Sequence, residues 1–337
     1  MFSHTVPKKL LKQFAYDDPC TKSKRLWQYQ KGLPPWRKAS PQRATAWDGH
    51  FADPANAAKE AELELRLKQD FEDPVNEFIE SIDAAFTWNP EKVRLLTGYI
   101  TILFNRSRAR RAASAENARI KIEALQSLYG NEDRLAQVAH QRTKELIERG
   151  VWLTRPVTKR DVRESIKQQI AEHSRPDEAQ RDYIQALETM MNFRDEAMRN
   201  GHWEIITTDA AHPFVIGDAP VVTMERTEGN LLYFAMGFAR PNVEVFLPVS
   251  PTACIHAVPR VTRTREVQRP SVIEVNRAQA AFATKHCFGS INSPEIDAVL
   301  QPQFGSIRLG ITGFNTRHID YSQVLFDILM GRRPRAA

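Results

Sequence analysis

The chain has 337 residues, of which 42% are hydrophobic and 26% charged, close to globular averages, so a largely disordered or collagen-like chain is excluded. At about 100 to 200 residues per domain, that length fits two packed units or one large mixed one, and the formal net charge is +6. Three cysteines (Cys20, Cys254 and Cys287) are too few for a disulfide framework, and no apolar run approaches the roughly 18 residues of a spanning helix, so a reducing, cytoplasmic setting without membrane is expected.

The positive charge lies at the start. Residues 1–50 hold ten Lys or Arg against three Asp, whereas residues 51–199 hold 24 against 26 and residues 200–337 hold 13 against 12. Such an arm can track phosphates, meet an acidic protein, or form a solvated surface. Residues 17–56 are rich in breakers (Asp18-Pro19, Gly32-Leu33-Pro34-Pro35, Ser40-Pro41, Asp53-Pro54) and read as loops with short strands. Leu26-Trp27-Gln28-Tyr29-Gln30 alternates apolar and polar, which reads as an edge strand covering a core rather than as a base-stacking platform.

From Asn56 to Asn200 the spacing is helical. Leu63, Leu67, Phe71, Val75, Phe78 and Ile82 trace one stripe, on one helix or on two helices broken near Pro74, with Asp73 as a candidate N-cap. Asn89 is placed to cap a helix opened by Pro90, with Val93, Leu96, Ile100 and Leu103 on one face. Further helices are expected over 112–129, 132–148, 159–173 and 177–199, making the middle of the chain a helical bundle.

At Gly201 the texture changes to β-branched and aromatic runs. Strands are expected over 203–207, 213–216, 220–224, 231–235, 243–247, 253–257 and 271–275, antiparallel because the connections are short. Asn276 would cap a helix over 277–285, a strand would follow at 286–290, and Gly331 to Ala337 read as a basic tail. The fold class is therefore α+β: a loop-rich basic arm (1–55), a central helical bundle (56–200) and a mostly antiparallel β-rich portion (201–330) packed with the arm.

Common catalytic signatures are missing: no G-x-x-x-x-G-K-S/T loop, no G-x-G-x-x-G, no H-E-x-x-H and no G-x-S-x-G elbow. His202-Trp203-Glu204 matches half of the zinc deaminase signature, by chance, since the P-C-x-x-C half is missing. Cys254, His256, His286 and Cys287 allow a zinc site to be drawn, but their spacing does not compel one, and buried residues are the simpler reading.

Several short motifs stand in a fixed order: His4-Thr5-Val6-Pro7 with Leu11 and Phe14; Glu64 and Glu72; Arg106 after an apolar run; Phe214 to Val221 around Asp218; Leu247 to Pro251; and Asn276 to Ala280. Together they resemble the family known as domain of unknown function 4238, with H-x-V-P-x-x-x-L-x-x-F, F-x-x-x-D-x-P-V, L-P-x-S-P and N-x-x-x-A. Ala219 departs from the asparagine-like residue usual there, and the tyrosine often near Leu10 is missing. The resemblance spans nearly the whole chain and implies no activity.

Function rests on the residues themselves. Asp218 ends an apolar segment before Pro220, a position from which a carboxylate can serve chemistry or cap a turn. Glu64 and Glu72 differ by about 80° around a helix, with Lys68 between them, as an exposed ladder or a cation-binding pair. Arg106, Arg108, Arg110 and Arg111 grip phosphate or end a helix in solvent. One reading is a metal-dependent, nuclease-like hydrolase of phosphodiesters, with Asp218, Glu64 and Glu72 holding Mg²⁺ or Mn²⁺, His4 as base and Arg106 stabilising charge. The other is a non-catalytic module that binds nucleic acid or a protein through the basic arm. Convergence of these side chains would favour the first, and scatter the second.

Overall fold

The computed structural model describes residues 2–48, 51, 57–175, 177–192, 196–227, 230–233, 238, 243–259 and 269–307. The expected tail, 331–337, and Asp53-Pro54 lie outside them.

In chain order the first elements are β1 (Phe2–His4), α1 (Lys8–Gln13), β2 (Tyr16–Asp18), β3 (Ser23–Gln30), β4 (Leu33–Ala39) and β5 (Ala46–Asp48). Helices follow: α2 (Ala57–Leu67), a π-helical turn (Lys68–Glu72), α3 (Asp73–Asn76), a 3₁₀ turn (Ile79–Ser81), α4 (Pro90–Asn105), α5 (Arg108–Tyr129), α6 (Glu132–Glu148), α7 (Lys159–His173), α8 (Glu178–Asn192) and α9 (Glu196–Arg199). The remainder is β6 (His202–Thr207), β7 (Ile216–Gly217), β8 (Val222–Thr227), β9 (Asn230–Tyr233), β10 (Val243–Ser250), β11 (Ala253–Val258), α10 (Val272–Phe282), β12 (His286–Gly289) and α11 (Pro294–Leu300). The fold is α+β, and every strand pairing among the described residues is antiparallel.

The chain divides into two compact units: one built from Met1–Ala113 and Tyr183–Phe314, and a second whose described part is Ser114–Asp182. The divisions fall inside α5 and α8, away from the loop-rich stretches at which a boundary reads most easily.

In the first unit one five-stranded sheet runs β6-β11-β10-β8-β9 and another β2-β3-β12-β7, with β4 beside β3. Val243 to Val249 and all of β11 are buried without alternation, as expected of strands covered on both faces. Leu10, Leu11 and Phe14, with Leu96, Ile100 and Leu103 of α4, join that core, and each fully buried side chain contributes about 1.5–3 kcal/mol. The predicted strand at 26–30 extends over Ser23–Gln30, and β3 is interior: β4 and β12 pair the same β3 residues from opposite edges, and β2 pairs Ser23 to Arg25, so the edge-strand expectation is corrected.

Three further expectations change for identifiable reasons. Ser271 and Glu274 form a capping box, so α10 begins at Val272, where a strand was expected, and Asn276 lies inside the helix rather than at its cap. The stripe from Leu63 to Ile82 passes through the π turn, and Asp73 makes no cap bond because the chain arrives already helical at Glu72. Pro213 to Ile216 yields only the two-residue β7, since Asn276 takes the backbone amide of Val215. Asn89 does cap α4, accepting from Lys92 N at 2.8 Å.

The second unit packs α5, α6 and α7 through Leu125, Leu128, Leu135, Val138, Val162 and Ile166. Thr158 and Asp161 form the capping box that opens α7.

Candidate anion-binding site

Arg106 follows α4 directly and is 1% exposed. An interior guanidinium needs partners for its donors, and three of them are described. Nη1 donates to Glu72 Oε1 at 2.6 Å, Nε to the Thr5 carbonyl at 3.2 Å, and Nη2 to the His4 carbonyl. The π turn carries Glu72 to this partner, while Lys68 is exposed. Glu64 also lies within electrostatic reach of Arg106. Burial, and then the Arg106 charge, hold the His4 imidazole below its usual value against the opposing pull of Glu72. His4, Glu64, Glu72 and Arg106 are thus neighbours, but the cation at their centre is arginine.

Asp218 is elsewhere engaged. Its carboxylate is 1% exposed and accepts three backbone N–H groups, Thr284 at 2.7 Å, Lys285 at 2.9 Å and His286 at 3.3 Å, while its own N–H donates to the His286 carbonyl. Burial pushes its pKa up, opposed by these amides and by the Arg108 charge. Next to it, Gln279 bridges Gly217 N and the Pro220 carbonyl, and Asn276 bridges Val215 N and the Pro213 carbonyl. A Cβ on Gly217 would lie 2.9 Å from the Gln279 carbonyl, so this approach requires glycine. The segment around Asp218 is stitched to α10 and to the turn entering β12. Among the described residues, no group of three or more His, Cys, Asp or Glu side chains could hold a metal ion. Cys254 and Cys287 are buried free thiols, and both ring nitrogens of His256 face carboxylates.

The same turn borders a cavity of about 600 Å³, lined by Arg25, Lys38, Arg43, Arg108 and His286, with Gln28, Ser40 and three alanines. Among the described residues, no carboxylate lines it. These basic side chains come from separate elements: Arg25 from β3, Lys38 from β4, Arg43 from the turn before β5, Arg108 from the start of α5 and His286 from the start of β12. Arg106 fixes one wall indirectly, since the His4 and Thr5 it holds pair with the β5 region: His4 opposes Ala46, and Thr45 Oγ1 donates to the Val6 carbonyl at 3.0 Å. Burial lowers the Arg108 pKa, partly offset by Asp218. Arg25 Nε is buried with no hydrogen-bond partner among the described residues. Lys38 donates to Asp18 at 3.2 Å. Concentrated cationic donors in a concave, half-enclosed site suit a phosphate or another oxyanion.

The family model for Protein of unknown function (DUF4238) matches residues 3–293, more than half of the chain. The chain belongs to the DUF4238 family. No curated protein and no solved structure matches it.

The DUF4238 match contains every cavity-lining residue, from Arg25 to His286. Of the residues expected to form a site, Arg106 and Glu72 make an interior ion pair, His4 and Glu64 lie beside it, and Asp218 stands at the cavity turn. Arg25, Lys38 and Arg43 stand outside the expected site, and His286 enters the sequence reading only through the zinc site that could be drawn with Cys254, His256 and Cys287. The sequence signal for the first three was the charge excess of the arm, which names a segment but not its side chains. No helix among the described residues is long and apolar enough to cross a membrane.

Proposed function

We propose that this protein binds nucleic acid through its phosphate backbone, with phosphate held in the basic cavity. The observation that carries the reading is the convergence of Arg25, Lys38, Arg43, Arg108 and His286 on one hollow that no described carboxylate lines. Phosphate contacts supply most non-specific affinity for nucleic acid, and Arg and Lys are their usual donors.

The hydrolase reading, with Mg²⁺ or Mn²⁺ on Asp218, Glu64 and Glu72, draws support from the closeness of His4, Glu64 and Glu72. It stands second because Asp218 already accepts three amides and Arg106 already faces Glu72. One experiment separates the two. Purified protein is titrated into labelled RNA and DNA, with and without Mn²⁺, reading anisotropy and product length together. Binding without products, weakened about ten-fold or more by Arg43→Ala with Arg108→Ala, is the expected result. Metal-dependent products would favour the hydrolase, and no binding would end the proposal.

A further inference from the structure

One sheet face beside the cavity alternates cations with rings. Tyr16 lies directly opposite Arg25 in the β2–β3 pair, and Trp27 opposite Lys38 in the β3–β4 pair. Opposed residues share a face, as do positions two apart on one strand, so Tyr16, Arg25, Trp27 and Lys38 all project to one side. Arg25 and Lys38 line the cavity. The Tyr16 and Trp27 rings stack with centroids 5.6 Å apart and planes 12° from parallel, and both are partly exposed. Lys38 Nζ lies 5.7 Å from the Trp27 centroid and 6.0 Å from that of Tyr16. Lys38 is also bonded to Asp18, so its charge is partly balanced.

We infer that the site takes single-stranded nucleic acid, a base lying against the Tyr16–Trp27 stack while the adjoining phosphate occupies the cavity; this rests on the nucleic-acid reading above. A duplex keeps its bases paired and stacked on one another, where rings on a sheet cannot reach them. Unpaired bases can stack on aromatic side chains with little dependence on sequence, and a groove of cations then follows the backbone. Charge alone would not separate a single strand from any other phosphate polymer, whereas the rings would.

The test uses the full chain and four probes at one ionic strength: labelled (dT)20, an abasic oligomer of equal length, a 20-base-pair duplex and inorganic polyphosphate. The expected result is that (dT)20 binds about ten-fold or more tightly than the abasic oligomer. Trp27→Leu should remove that difference and leave polyphosphate affinity unchanged, while Trp27→Phe, which keeps a ring, should retain most of it. If Trp27→Leu fails to fold, the Trp27→Phe variant and the abasic comparison decide. Equal affinity for (dT)20, the abasic oligomer and polyphosphate would overturn base stacking and leave phosphate binding intact. Failure to bind any of the four would remove both.

Discussion

Asp218 shows how a single residue can be located by sequence while its task stays hidden. Its place between an apolar segment and Pro220 marks a carboxylate that must find partners, and it does, but those partners are backbone amides 66 to 68 positions away. Sequence spacing carries no trace of such a contact. The structure also ties Asp218 to two cavity-lining residues, to His286 through the turn and to Arg108 through charge. Asp218→Asn keeps the shape but replaces an acceptor-only group with one that also presents donors to the same amides. Leaving buried donors unmatched costs about 1–3 kcal/mol, so urea denaturation of D218N should show a loss of that size whether or not Mn²⁺ is present. Unchanged stability coupled to loss of a metal-dependent activity would instead make the carboxylate catalytic. Arg106 differs in kind: the sequence offered phosphate gripping or a solvated helix end, and the structure gives an interior clamp on the first strand.

At the scale of elements, the long helices were readable because three- and four-residue periodicity survives in α4, α6 and α7, the last two with the bounds expected. What escaped were local devices, the capping box at Ser271 and the π turn before Asp73, which act over a few residues and leave the hydrophobic pattern almost unchanged. A third device spans three adjacent strands. His256 of β11 is fully buried, with Nδ1 2.8 Å from Glu204 of β6 and Nε2 3.1 Å from Glu244 of β10, and its ring stacks on Phe246 at 4.5 Å. Arg269 adds a bond to Glu204 at 2.9 Å. Burial works against the imidazolium, but the bonds to Glu204 and Glu244 outweigh it and raise the His256 pKa above 6.5. Its stabilisation is complete below that unfolded value and is lost as pH rises through the higher folded one. Glu204 is held at about 2, chiefly by its bond to His256, so its share is present above its unfolded 4.5 and is lost as pH falls toward 2. Melting temperature should therefore peak between about pH 5 and 6.5 and decline on both sides. In His256→Gln the alkaline decline should flatten; a variant with the wild-type profile would show that another group titrates there.

For the molecule as a whole, the legible feature was the uneven charge, +7 over residues 1–50 against −2 over residues 51–199. What it could not give was focus, because Arg43, Arg108 and His286 come from three stretches that only tertiary structure gathers, and Arg108 follows an expected helix rather than the arm. A focused site and a diffuse basic surface differ in their response to salt. Each phosphate neutralised on a single strand contributes about 0.7 to the slope of log affinity against log salt. A side chain that meets phosphate in the cavity should remove about that increment when truncated, whereas a distant cation should remove almost none. Arg43→Ala and Arg108→Ala are thus expected to flatten the slope by about 0.7 each, measured by anisotropy of (dT)20 from 50 to 300 mM salt. Arg142 and Arg149 line a separate, mostly apolar hollow of the second unit and provide the control. If truncating them flattens the slope as much as truncating Arg43 and Arg108, the phosphates are spread over the surface, and the cavity has no privileged share in binding.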